Sequence, residues 1–150
     1  MKILMLFSTV LLMNVSFKNS DLHEVRTSYS KAVLDKKLCK KMIEELELSK
    51  EKSVIDLAYL GAYQTIWANH VFNPLSKLAT FKKGKNNIEL AISKDPENVE
   101  IRYIRFSVQK NAPSFLGYNN NLKEDKDFLV KNKKNINSDF LQKNIETLLK

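Results

Sequence analysis

The chain predicts an all-α fold of antiparallel helical hairpins, arranged as a short repeat-like solenoid or a bundle. Three observations carry that expectation. Apolar residues recur every three or four positions through most of the 150 residues, as one face of a 3.6-residue helix demands. Ser, Asn and Asp stand just ahead of these runs, where a side-chain oxygen can accept from the orphan N–H groups of a first turn. No segment alternates apolar and polar residues with the period of two that a half-buried strand needs.

Residues 1–17 hold one basic residue, Lys2, and an apolar run from Ile3 to about Val15. That run is short for a membrane span and has the length of a signal-peptide core. The expectation is an exported protein, periplasmic or extracellular, with a retained N-terminal anchor as the alternative because no small-x-small pair stands out between Asn14 and Ser20. No cysteine follows the run, which argues against lipid attachment there.

A helical domain is expected over residues 18–131. Asp21 and Glu24 stand at capping-box spacing, and Leu22, Val25, Tyr29, Ala32 and Val33 repeat at helical intervals behind them. A second helical run covers Leu38 to Leu48, either separate or continuous with the first, and Cys39 reads as inward-facing. Ser53 offers a fresh N-cap for the run from Val54 to Phe72, which is apolar around most of its circumference and so belongs at the centre of the core. Asn73 and Pro74 end it, and Pro74 suits the first position of a helix running to about Lys94. Asn98 caps the next, from Val99 to Lys110. A loop, "NAPSFLGYNN", leads to Asn121 and Glu124, a further capping box before "LKEDKDFLVKN". Residues 132–137 read as a mobile, solvated linker, and 138–150 as a C-terminal amphipathic helix with Phe140, Leu141, Ile145, Leu148 and Leu149 on its apolar side.

The formal net charge is +8. Only Arg26, Arg102 and Arg105 among the 25 basic residues are arginine, and the lysines are scattered, as on a solvated surface rather than a phosphate-binding stripe. No specific nucleic-acid partner is expected, and a membrane only through an uncleaved leader. One cysteine excludes an intramolecular disulfide. Two histidines, three glycines and no phosphate loop, serine elbow or paired-histidine motif give no sign of an enzyme, a cofactor or a metal site.

Two groups of residues remain as candidate binding positions. On the helix from Val99, a polar stripe of Asn98, Arg102, Arg105 and Gln109 lies between two apolar strips, with Glu100 and Ser107 roughly opposite. The arginines either grip an acidic group on a partner or pair with acids of this chain such as Asp56, Asp95 or Glu97. Phe115, Leu116 and Tyr118 either plug the end of the core or form a contact for a partner. On the central helix, Asp56, Tyr59, Tyr63, Trp67 and His70 share one broad side, either as ordinary aromatic packing or as one wall of a groove.

Gly84, Ile88, Ala91 and Pro96 stand at intervals of four, three and five. This spacing resembles the second helix of a tetratricopeptide repeat, and the match covers one helix and its turn. Such a resemblance implies paired helices that approach closely and a surface for a protein or peptide. The whole chain, through "NPLSKLATFKKG", "DPENVEIRYIR" and "NAPSFLGY", is also similar to small exported bacterial proteins without an assigned activity. The function expected is that of an exported interaction or scaffold protein. The alternative is a small-molecule or envelope-substrate binding protein, or an enzyme using the Asp56, His70 and Arg102 side of a groove.

Overall fold

A computed structural model describes residues 21–150, and the expected leader lies outside them. The described residues form seven α-helices and no strand: α1 (Leu22–Ser28), α2 (Lys36–Leu48), α3 (Val54–His70), α4 (Pro74–Lys94), α5 (Val99–Asn111), α6 (Leu122–Asn132) and α7 (Asp139–Leu149). Short 3-10 turns occupy Lys31–Val33, Ser114–Leu116 and Lys133–Asn135.

Helix α3 is the axis of the fold. Ser53 and Asp56 close a reciprocal capping box at its start, and its residues from Ala58 to Ile66 are buried without interruption. Helices α2, α4 and α5 surround it, which is why its sequence is apolar around most of its circumference. The closest approach is to α4, which runs antiparallel. At the crossing Gly61 lies against Gly84, and a Cβ added at Gly61 would stand 2.5 Å from the Gly84 carbonyl oxygen and 2.8 Å from the Ile88 side chain. Only hydrogen at these two positions lets the backbones meet. Gly84, Ile88 and Ala91 all face inward.

Helix α4 starts as expected, with Asn73 as N-cap and Pro74 in the first turn. Asn98 accepts from the backbone N–H groups of Glu100 and Ile101 to start α5, and Ser138 accepts from Leu141 N–H to start α7. Gly117 turns the loop after α5 in the left-handed region, at φ 60°.

Two expected capping boxes do not form. Asp21 accepts from His23 N–H, but the Glu24 carboxylate reaches Lys41 Nζ at 2.6 Å instead of turning back. Asn121 does not cap α6: its amide donates to Glu124 Oε2 at 3.2 Å while its Oδ1 accepts from Gln109 Nε2. In both, tertiary partners draw away a side chain that the local motif would have used. The first helix is also shorter than its periodicity suggests. It ends at Ser28, because the Tyr29 ring packs edge-on against Tyr59 and Tyr63 at 5.7 and 5.8 Å and the chain tightens into the 3-10 turn. Helix α2 is thus separate, started by Asp35, which accepts from Leu38 N–H.

Residues 132–137 hold the end of α6 and a 3-10 turn. Ile136 packs against the core, and its carbonyl accepts from Gln142 Nε2 at 3.2 Å.

Candidate functional site

The arginine stripe of α5 faces α6. Asp125, 0 % exposed, accepts from Arg105 Nε and Nη2, both at 2.7 Å, and from Arg102 Nη1 at 2.8 Å. Arg102 also donates through Nε to the Pro96 carbonyl at 2.7 Å and through Nη1 to Glu124. Its guanidinium lies 4.9 Å from the Phe128 ring centre, a cation–π geometry. Arg105 reaches Glu89 of α4 at 3.3 Å. Glu89 in turn accepts from the Tyr118 hydroxyl at 2.6 Å, and Tyr118 packs edge-on against Phe81. The two guanidinium groups and one buried carboxylate therefore fasten α5 to α6 and, through Glu89, to α4. The acids involved are Glu89, Glu124 and Asp125 rather than Asp56, Asp95 or Glu97.

Electrostatics follow from this geometry. Burial alone would lower the Arg105 guanidinium, yet hydrogen bonding and the charge of Asp125 outweigh it and hold the group more firmly protonated than usual. The Arg102 and Asn121 hydrogen bonds hold Glu124 below the ordinary carboxylate range. Burial, reinforced by Glu89, raises the Tyr118 phenol. Gln109 is buried at the edge of the cluster, bonded only through its amide nitrogen to Asn121 among the described residues, and its Oε1 has no partner there.

The opposite side of α5 carries a second charged cluster. Glu100, expected on a polar stripe, is buried and accepts from Arg26 Nε and Nη2 at 2.7 and 2.6 Å and from the Tyr59 hydroxyl at 2.9 Å. This two-point fork joins α1 to α5. Burial and then the Glu100 charge push the Tyr59 phenol well up. Ser107, on the same side, meets the Tyr29 hydroxyl at 3.3 Å.

The aromatic side of α3 is mostly interior. Tyr59 and Tyr63 are fully buried, and the Tyr63 hydroxyl donates to the Val25 carbonyl at 2.7 Å. Trp67 and His70 sit at the far end, with ring centres 5.8 Å apart. His70 Nε2 meets the Ala32 carbonyl at 3.1 Å. Asp56 and His70 are fourteen residues apart on one helix, hence about 21 Å. Asp56 is held in the first-turn capping box and Arg102 in the Asp125 cluster. The Asp56, His70 and Arg102 constellation does not converge on one point. Among the described residues no group of three or more His, Cys, Asp or Glu side chains could hold a metal ion.

An open cleft of about 460 Å³ lies beside the start of α5, lined by Arg26, Glu97, Asn98, Glu100, Asn135 and Asn137 among others. Two of its three charged residues, Arg26 and Glu100, are already bonded to each other.

One end of the molecule is unlike the rest. At the α3–α4 corner Phe72 is 95 % exposed and Leu75 79 % exposed, and beside them Leu34 is 93 % exposed. The 3-10 turn and the corner are held together by the His70–Ala32 contact and by Lys36, whose Nζ lies 5.5 Å from the Trp67 ring centre and 5.8 Å from that of Phe72. Phe115, in the loop after α5, is also exposed, at 85 %, whereas its neighbours Leu116 and Tyr118 turn inward.

Of the residues singled out in the sequence, the structure gathers Arg102, Arg105, Gln109 and Tyr118 at the α5–α6 cluster. Tyr59 and Tyr63 are placed in the core, Trp67 and His70 near the exposed corner, and Phe115 alone on another surface. Sequence reasoning missed Asp125 and the corner residues Leu34, Phe72 and Leu75. Asp125 carried a legible signal, since Leu122, Asp125 and Leu129 fall on one helical face and an acid on an apolar stripe marks a buried partner. Phe72 and Leu75 flank an Asn-Pro turn, where polar residues are the norm.

These features define an all-α protein of antiparallel hairpins, internally locked by charged clusters and apolar at one projecting corner. Comparison with known proteins finds no matching family model, no matching curated protein and no matching solved structure.

Proposed function

We propose that this protein is a non-enzymatic helical scaffold that docks onto a partner surface through the α3–α4 corner. The observation that carries the reading is the exposure of Leu34, Phe72 and Leu75, each at least 79 % exposed, on two segments joined by the His70–Ala32 contact and by Lys36. Exposed leucines scattered singly are ordinary, but three large apolar side chains this exposed on two joined segments mark a contact surface. The positions that could have formed a polar groove point the other way, because Arg102, Arg105 and Glu100 already hold partners within the chain. The Gly61–Gly84 crossing and the buried Gly84, Ile88 and Ala91 support a tetratricopeptide-like hairpin as the frame that presents the corner. The apolar leader supports export to a periplasmic or extracellular site, where the corner would act.

The test is site-specific photo-crosslinking in the source cell, with a photoreactive phenylalanine analogue at position 72 and, as the control, at position 115. A specific adduct, to protein or to lipid, from position 72 that position 115 does not give is expected. Equal, weak labelling from both positions would overturn the docking role.

A further inference from the structure

We infer that the surface met by the α3–α4 corner is an anionic lipid layer, an assignment that rests on the docking role proposed above. Charge and shape at the corner argue for it. The two segments that build the corner, 31–37 and 70–78, carry Lys31, Lys36, Lys37 and Lys77 against one acid, Asp35, and that carboxylate is turned to the backbone of α2. A second copy of this chain would bring like charges together, so self-association is disfavoured where an anionic surface is attracted. Anionic lipid draws each lysine near its surface.

The apolar side chains project from two separate short segments rather than forming one continuous helical stripe. Leu34 follows the 3-10 turn, Phe72 lies in the link between α3 and α4, and Leu75 opens α4. Such points suit insertion into a deformable layer better than the filling of a preformed protein groove. Behind them Trp67 is half-buried, and the Lys36 ammonium lies within 6 Å of both the Trp67 and the Phe72 rings. An aromatic at the boundary with a lysine able to lift its charge toward headgroups is the chemistry of an interfacial anchor. Among the described residues no helix is long and apolar enough to cross a membrane, so contact through this corner is peripheral.

Trp67 is the chain's single tryptophan, so its fluorescence reports this corner alone, whatever the leader does. The full chain would be mixed with phosphatidylcholine vesicles with and without phosphatidylglycerol, some carrying brominated acyl chains that quench a nearby indole. The expected result is a blue shift and quenching of Trp67 with the anionic vesicles only, reversed by high salt. Phe72→Ser/Leu75→Ser should weaken the vesicle affinity read from Trp67 about tenfold or more, as loss of two inserted apolar side chains requires. Lys37→Glu/Lys77→Glu, at two exposed lysines of the corner segments, should act in the same direction with an unchanged thermal melt. An unquenched Trp67, or quenching that neither double variant changes, would overturn the lipid assignment. If a specific protein adduct at position 72 accompanied that result, the docking role would stand with a protein as partner. If sedimentation showed a dimer lost in Phe72→Ser/Leu75→Ser, a second copy would be the occupant. Absence of the adduct, of quenching and of the dimer together would remove both readings.

Discussion

Two antiparallel helix pairs in this molecule solve the same packing problem with opposite chemistry. At the α3–α4 crossing the contact is backbone against backbone, made possible by Gly61 and Gly84, with one neutral hydrogen bond from Asn87 Nδ2 to Gln64 Oε1 beside it. In α5–α6 the contact is an ionic cluster, with Arg102 and Arg105 around a fully buried Asp125. Shape holds the first pair, and the second depends on every member of a charged group remaining in place. The contrast teaches where each pair is vulnerable: one fails when an atom is added, the other when a partner is taken away.

The largest effect is expected at the charged pair. Arg105→Ala leaves the buried Asp125 carboxylate short of its main partner and should cost about 3–5 kcal/mol of unfolding free energy, read as a lower midpoint in urea. Replacing the whole set, Arg102→Met/Arg105→Met/Asp125→Leu, should recover most of that loss, since buried ion clusters are often no better than well-packed apolar residues. A triple variant as unstable as Arg105→Ala would show that the cluster contributes more than its desolvation costs.

Next comes the crossing of α3 and α4. Gly61→Ala sets a methyl group against the Gly84 carbonyl and Ile88, and the helices must part at a cost of about 1–3 kcal/mol. Cys39 gives a direct readout, because burial pushes its thiol up to about 12 and its Sγ lies against the Tyr63 carbonyl at 3.5 Å. The wild-type thiol should resist alkylation at pH 8, and Gly61→Ala should speed labelling in proportion to the loss of stability. Unchanged labelling would mean that the crossing adjusts without opening the core.

The other side of α5 sharpens the comparison, since there one carboxylate serves one arginine and a tyrosine. Glu100→Gln keeps the shape and one acceptor but loses the charge, and should cost about 1.5 kcal/mol in a thermal or urea melt. A cost equal to that of Arg105→Ala would erase the distinction between the two clusters.

The smallest effect is one of pH. Glu124 has a folded pKa lowered by Arg102 and Asn121, so its contribution is fully present above the unfolded value, about 4.3. It is lost as pH falls through the lower folded value. Glu124 is more than half exposed, so solvent screening limits the contribution to about 0.2–1 kcal/mol. The difference between wild type and Glu124→Gln should therefore shrink from pH 6 to pH 3, and a constant difference would remove the carboxylate from the cluster's energetics.

Much of the fold was legible because helix signals are local. Ser53, Pro74, Asn98 and Ser138 start helices where their side chains can accept from the turn they open, and the largely apolar circumference of α3 announced its central place. The candidate site was less legible. Arg102 and Arg105 stood out by type and spacing, but the acids that meet them lie on α4 and α6, distant in sequence. Glu24 and Asn121 matched capping motifs, and their side-chain oxygens were drawn instead to Lys41 and to Gln109. A local motif offers a hydrogen bond, and a tertiary neighbour can offer a stronger or better-placed one.

By itself the order of residues determined the helical class, nearly every helix boundary after Ser53, and the central position of α3, since these depend on groups within a turn or two of one another. The tertiary structure alone decided which carboxylates the arginines meet, that Glu100 is an interior group, and that the turn carrying Leu34 is joined to the α3–α4 corner. Those outcomes depend on distances between segments tens of residues apart. Periodicity within a helix carries no information about which neighbour its face will find.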